Sequence, residues 1–174
     1  YEVIPIDLTK KEQKKPEFLK LNPYGKVPVI IDGETVLYES CIINEYLEEQ
    51  YPETCLLPKD SAARAKMRIE IDFDVNQIII PYQKIRSELM KEETDRDPQA
   101  LETGKRDITN LLQRHERELE SNLYLSGDFS LLDAAVIPRY IRLENWGVIT
   151  KTSLPRLTQW LLRIKERPSV RAGM

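Results

Sequence analysis

The run from Asn22 to Ser40 constrains this chain more tightly than any other stretch. Asn22-Pro23-Tyr24-Gly25-Lys26 reads as a loop. A strand over 27–31 follows, with Pro28 near its start, then a turn at Asp32-Gly33-Glu34 and a returning strand over Thr35–Tyr38. Ser40 opens a helix that Tyr51-Pro52 ends. Glu39 and Ser40 place an acid and a hydroxyl at that helix's N-terminus, where free backbone N–H groups favour small carboxylates. A proline opening a strand leaves the N–H and C=O of its predecessor free for an extended ligand. Together these are the parts of a peptide-binding site.

The rest of the chain divides by periodicity. The run Glu2-Val3-Ile4-Pro5-Ile6-Asp7-Leu8 predicts a strand, at a sheet edge because Pro5 has no N–H to give. Residues 10–15, rich in lysine, predict a solvated loop, and Pro16-Glu17-Phe18-Leu19 a helical turn with proline at its first position. Ile42, Ile43, Tyr46 and Leu47 predict the inward face of the helix that Ser40 opens. From Pro58 onward strand signals stop and charged amphipathic helix takes over. That shift predicts one domain over 1–52, a linker over 53–60 and an all-helical domain over 61–174. Met67, Ile71, Val75, Ile78, Tyr82, Ile85 and Leu89 predict one long apolar stripe, kinked at Pro81. After a polar break over 92–99, Ile108, Leu111, Leu112, His115 and Leu119 predict a second stripe. Ser130-Leu131-Leu132-Asp133 predicts a capping box ahead of a helix carrying Ala134, Val136, Tyr140 and Leu143. Leu157, Trp160, Leu161 and Ile164 predict the inward face of a last helix, from Pro155 to a stop at Pro168. The fold class is therefore α/β plus all-α.

Charge and cysteine usage narrow the partners. With 26 basic against 29 acidic residues the net charge is −3, which argues against a nucleic-acid or anionic-membrane surface. No apolar run approaches the roughly 20 residues that span a bilayer, and no signal-peptide pattern opens the sequence. Cys41 and Cys55 make neither a disulfide framework nor a metal-ligand spacing. The expectation is a cytoplasmic protein with no metal, no nucleic acid and no membrane partner.

Lys26-Val27-Pro28 followed by Glu39-Ser40, with Asn22-Pro23-Tyr24-Gly25 upstream, resembles the glutathione site of the glutathione transferase superfamily. The resemblance runs from Tyr1 to Arg167-Pro168-Ser169-Val170. It implies a thioredoxin-like first domain, a helical second domain and a homodimer. It also implies conjugation of glutathione, as co-substrate, to a small electrophile. Carried over to this sequence, Val27 pairs its N–H and C=O with the cysteinyl main chain across a cis Val27–Pro28 bond. Ser40 receives the γ-glutamyl carboxylate, Glu39 the ammonium, and Gln13, Lys14 and Lys26 lie near the glycyl carboxylate. Plainer roles stay open for each. Ser40 also suits a helix cap, Glu39 a dipole partner worth ~0.3–1 kcal/mol, Lys26 a turn lysine and Pro28 a trans strand-starter. Only ~5–6% of X–Pro bonds are cis, so the residues alone predict trans. Cys41 lies beside a helix N-terminus, where a thiol can be activated, yet its neighbours Ile42 and Ile43 point to packing. His115, Trp146 and Trp160 read as core or interface residues, and Tyr82 as a candidate cleft residue.

A transferase lowers the glutathione thiol pKa from about 8.5 with a hydroxyl or thiol aimed at the sulfur. In the superfamily that Tyr, Ser or Cys follows the first strand or opens the first helix. This sequence begins at what resembles the second strand, so no residue in it is named catalytic, and roughly 20–30 preceding residues, a strand plus a helix, are expected. The absent strand would lie between the second and third, which leaves 2–8 without its sheet neighbour. Two further readings follow from resemblance. Asn22-Pro23-Tyr24-Gly25, Leu37-Tyr38-Glu39-Ser40 and Phe129-Ser130-Leu131-Leu132-Asp133 also resemble the stringent starvation protein A family, non-enzymatic modules that bind RNA polymerase. Lys26, and Glu53-Thr54-Cys55-Leu56-Leu57-Pro58 in place of that family's His- and Pro-rich loop, depart from it. A thiol-exchange or dehydroascorbate-reductase-type member would need a cysteine in the preceding segment.

Overall fold

Residues 1–173 are described in a computed structural model, Thr54 by its backbone alone. They fall into two units, Tyr1–Cys55 and the residues from Leu56 onward. In the first, β1 (Val29–Asp32) and β2 (Thr35–Tyr38) pair antiparallel around Gly33-Glu34, with Val29 opposite Tyr38 and Asp32 opposite Thr35. Helix α1 (Pro16–Leu21) precedes them and buries Phe18, and α2 (Ser40–Gln50) follows. The hydroxyls of Tyr46 and Tyr51 both donate to Asp32 Oδ2 at 2.9 Å, so the far end of α2 is tied to the hairpin turn. Those bonds to the Asp32 carboxylate push both phenol pKa values up. The expected inward stripe of α2 is only partly inward: Ile43 is buried, whereas Ile42 is 57% exposed and Leu47 39%.

Residues 2–8 do not form the expected strand. Among the described residues the β1–β2 pair is the only sheet, and a strand without a ladder partner has nothing to hold its backbone groups. Pro5 removes one donor besides. Val3 and Ile4 stay exposed. The segment closes instead in a turn organised by Asp7, whose Oδ1 accepts the Thr9 N–H at 2.9 Å and the Lys10 N–H at 3.2 Å. Glu12 Oε2 accepts the Asp7 N–H at 2.9 Å, and a 3₁₀ turn, Glu12–Lys14, leads into α1. The basic run is thus ordered rather than a plain solvated loop.

The second unit is helical: α3 (Ser61–Phe73), α4 (Ile79–Leu89), α5 (Pro98–Glu118), α6 (Leu131–Asn145), α7 (Pro155–Lys165) and α8 (Pro168–Arg171). Asp60 and Asp97 cap α3 and α5, accepting N–H bonds from Ala63 and from Gln99 and Ala100. A π-helical segment, Asp74–Ile78, separates α3 from α4. A wider turn rotates the face that follows, so the expected single stripe breaks here: Asp74 and Ile78 are buried and Val75 is exposed. Pro81, lacking an N–H, lies just beyond it in the first turn of α4. Gly104 lets α5 pack tightly on α4: a Cβ there would stand 2.8 Å from Ile85 Cγ1 and 3.6 Å from the Pro81 carbonyl. No helix among the described residues is long and apolar enough to cross a membrane.

Bonded carboxylates punctuate this core, Asp133 and Glu70 among them. The expected capping box of α6 is present, and Asp133 does more than cap. Its oxygens accept from the Leu125 N–H (3.1 Å), the Ser130 N–H (2.9 Å) and hydroxyl (3.1 Å), and Trp160 Nε1 (2.8 Å). Burial raises its pKa against the pull of those bonds. Arg114 binds Glu70 through Nε at 2.7 Å and through Nη2. His115 Nε2 lies 3.3 Å from the same carboxylate and Nδ1 2.6 Å from the Tyr140 hydroxyl. The only histidine is therefore a fully hydrogen-bonded core residue, as its place on the apolar stripe predicts. Burial pushes the Glu70 carboxyl up, but the bonds from His115 and Arg114 outweigh it and hold the pKa at about 2.

Replacing Asp133 by Ala strands several buried donors at once and is expected to cost ~3 kcal/mol or more in urea unfolding; a loss below ~1 kcal/mol would show that these donors find other partners. Glu70 titrates at about 2 in the folded chain against an ordinary 4.5, so its contribution is complete above pH 4.5 and is lost as the pH falls toward 2. The Glu70→Gln variant should show a shallower fall in stability across that window, and an unchanged slope would contradict the assignment.

Candidate functional site

The turn Asn22-Pro23-Tyr24-Gly25 is built by its residue types. Pro23 supplies a fixed φ at the second position, and the Gly25 N–H returns to the Asn22 carbonyl at 2.9 Å. The Asn22 side chain closes the turn a second time, its Oδ1 accepting the Tyr24 N–H at 2.9 Å. Gly25 is required on two counts. Its φ is +58°, and a Cβ would stand 2.7 Å from Lys14 Nζ and 2.8 Å from the Gln13 carbonyl. The 3₁₀ turn that carries Gln13 and Lys14 therefore packs directly on this loop.

The Val27–Pro28 bond is cis, contrary to what the residues alone predict and as the superfamily resemblance implies. Among the described residues neither the N–H nor the C=O of Val27 has a hydrogen-bond partner. Val29 and Tyr38 form the outermost pair of the hairpin, so Val27-Pro28 and Glu39-Ser40 leave the sheet at the same end. The Tyr24 ring meets the Tyr38 ring edge-on, centroids 5.5 Å apart, which brings the loop to that end as well. Glu39 precedes α2 at φ +69°, ψ +111°, a conformation that non-glycine residues seldom adopt. The first helical hydrogen bond runs from the Ile43 N–H to the Glu39 carbonyl, so the Ser40 N–H has no partner within the helix.

The candidate residues thus converge on one corner, with different commitments. The Lys26 ammonium, the Glu39 carboxylate and the Ser40 hydroxyl are exposed and have no side-chain partner among the described residues. Lys10 and Lys15 pair with Asp7 and Glu12. Lys14 donates to the Tyr24 carbonyl at 3.0 Å, so part of its capacity is spent on the loop itself. Gln13 is half-buried, its Oε1 enclosed with no partner among the described residues. Sequence reasoning missed the contribution of Asn22, which is 1% exposed; an Asn two residues before a turn N–H was the available signal. Cys41 is half-buried and Cys55 exposed. Among the described residues no group of three or more His, Cys, Asp or Glu is arranged to hold a metal ion.

Residues 1–49 match the family model described as the glutathione S-transferase N-terminal domain. Glutathione S-transferase 3 of Zea mays is 32% identical over 97% of this chain and 79% of its own length. The crystal structure of poplar glutathione transferase F1 superposes with a TM-score of 0.88 at 27% identity, over 99% of this chain and 83% of that one. A glutathione transferase from Burkholderia graminis, solved with two glutathione molecules bound per subunit, gives a TM-score of 0.86 at 25% identity, over 99% and 76%. These likenesses bear out the expected fold, a thioredoxin-like domain followed by a transferase-type helical domain.

The backbone at Glu39 is strained for any side chain, so Glu39→Gly is expected to raise stability by ~1 kcal/mol. Chemical unfolding checks this, and a loss of stability would show that the Glu39 side chain, not its backbone, dominates there.

Proposed function

This chain belongs to the glutathione S-transferase family, and on that premise we propose that it joins the sulfur of glutathione to a small electrophile. One observation carries the reading: Val27-Pro28 and the N-terminus of α2 leave the hairpin at the same end, with unpaired groups of both charges beside them. The tripeptide thiol, lying extended along Val27, exchanges main-chain hydrogen bonds with its N–H and C=O. The γ-glutamyl carboxylate meets the N–H and hydroxyl of Ser40 where the helix dipole favours an anion, and the ammonium faces Glu39. Lys26 faces the glycyl carboxylate, with Gln13 and Lys14 behind the loop that presents it. The glutathione-bound Burkholderia relative supports this choice of ligand.

These groups bind and orient; they do not ionise the thiol. The sulfur reacts as the thiolate, its electron pair forming the bond to the electrophilic carbon while a leaving group or the adjoining π-system takes up electrons and the proton goes to solvent. The hydroxyl or thiol that stabilises the thiolate in this family is assigned to no residue of this sequence. We take 1–52 as the glutathione-binding domain, 53–60 as the linker and 61–174 as the helical domain of a cytoplasmic homodimer. It uses glutathione as co-substrate and needs no metal.

Retention of the full-length protein on glutathione resin, with turnover of a chloronitrobenzene, tests the reading; neither retention nor turnover rejects it. Within an active protein, Ser40→Ala removes a charge-assisted bond and is expected to raise the KM for glutathione about tenfold or more while kcat changes less. An unchanged KM would leave Ser40 as a helix-opening residue only.

A further inference from the structure

We propose that Asn22 is a positioning residue that aims the Val27 N–H at the ligand, an inference that rests on the glutathione reading of this site. Its side-chain amide is buried and bonded at both ends: Oδ1 accepts the Tyr24 N–H at 2.9 Å, and Nδ2 donates to the Lys26 carbonyl at 2.7 Å. That orientation is fixed by chemistry, because a flipped amide would face donor to donor and acceptor to acceptor.

Closing the Asn22–Gly25 turn needs only the first bond. The second reaches beyond the turn, to the peptide group between Lys26 and Val27. A trans peptide is planar, and its C=O and N–H point in opposite directions; the cis bond is the next one along. Holding the Lys26 carbonyl therefore sets the direction of the Val27 N–H, the donor that the cysteinyl carbonyl of glutathione would meet. A hydrogen bond accepted by the carbonyl also polarises the N–H on the same group and makes it a better donor.

The loop is braced so that this grip is not lost to motion of the turn. Lys14 Nζ holds the Tyr24 carbonyl at 3.0 Å, and the Gly25 N–H holds the Asn22 carbonyl at 2.9 Å. Both bonds fall on the peptide group between Tyr24 and Gly25, which is thus fixed to the rest of the unit at its C=O and its N–H, while the Val27 N–H faces no protein acceptor among the described residues. Asn22 itself is buried behind the loop and does not touch the ligand in this arrangement.

The test contrasts two ligands on the full-length protein. Glutathione has the cysteinyl carbonyl; γ-glutamylcysteamine lacks it and keeps the γ-glutamyl end and the thiol. Asn22→Asp retains the acceptor for Tyr24 and loses the donor to Lys26. It is expected to weaken glutathione binding about tenfold by calorimetry while changing γ-glutamylcysteamine binding by less than about twofold. Equal losses for the two ligands would mean general loosening and overturn the proposal. Should Asn22→Asp not fold, the wild-type protein reads the same coupling by NMR. The Asn22 side-chain amide protons should shift together with the Val27 amide on adding glutathione, and not on adding γ-glutamylcysteamine; an Asn22 amide indifferent to both overturns the role. Wild-type protein that binds no glutathione at all rejects the site reading itself, an outcome distinct from equal losses in a protein that binds.

Discussion

The register of one short hairpin governs the candidate site. Because Val29 lies opposite Tyr38, the peptide before Pro28 and the residue that opens α2 emerge side by side. A slip of one residue would send every side chain of one strand to the other face and part the two. A lone two-stranded hairpin is marginal in water, so the register needs outside support. Asp32 supplies it at the turn, accepting from both Tyr46 and Tyr51 of the α2 end. Tyr24 supplies it at the open end, edge-on to Tyr38. Both supports run from side chain to side chain, two tyrosine hydroxyls on one carboxylate at the turn and ring against ring at the open end.

The helical unit solves a different problem, and there the acids are buried. Leu154 precedes α7 and offers no side-chain cap, so the first N–H groups of that helix need acceptors from elsewhere. Glu116 of α5 provides them, its oxygens accepting from Arg156 at 2.8 Å and Leu157 at 2.9 Å. Asp133 likewise serves its own helix and the indole of Trp160 on α7. Each carboxylate costs desolvation, and each is offset by several charge-assisted bonds. The result is a core in which the helix ends are positioned by acids rather than by apolar shape alone. Such acids discriminate between packings more sharply than interchangeable leucines do.

Much of this was legible from the residues, and the failures have particular causes. The bounds of α2, the hairpin turn, the capping box at Ser130-Asp133 and the core role of His115 follow from local rules: a starter residue, a turn glycine, a reciprocal cap and a 3.6-residue period. Residues 2–8 had the composition of a strand, but a strand is a property of two segments, and composition describes one. The stripe from Met67 to Leu89 failed at Val75 because a π turn shifts the phase of the helix, a change no fixed period anticipates. Ile42 and Leu47 fit a helical face that the small first unit does not cover. At the site, Lys26, Glu39 and Ser40 stood out as charged and polar side chains. Asn22 did not, because what it does depends on which backbone carbonyl its amide reaches.

That difference reflects what kind of site this is. On the proposed reading its central recognition element is main chain: one residue, Val27, whose N–H and C=O lie on two successive peptide groups and have no partner among the described residues, beside the open end of a helix. Residues that shape main chain leave conformational rather than chemical signatures, and here they are Pro23, Gly25, Pro28, Asn22 and a non-glycine residue at positive φ. A strained Glu39 is the informative member of that set. Glycine would relieve the backbone at φ +69°, so a carboxylate retained at this cost points to work done by the side chain rather than by the turn. An acid held just outside the helix end, next to a hydroxyl just inside it, offers an acceptor and a donor set within one residue of each other. A free amino acid end, ammonium and carboxylate on one carbon, asks for that pairing, whereas a simple anion would be repelled by the acid. On the proposed reading, the pairing of Glu39 with Ser40 suits a zwitterionic ligand terminus better than phosphate or sulfate, and it does so through a residue whose backbone glycine would relieve.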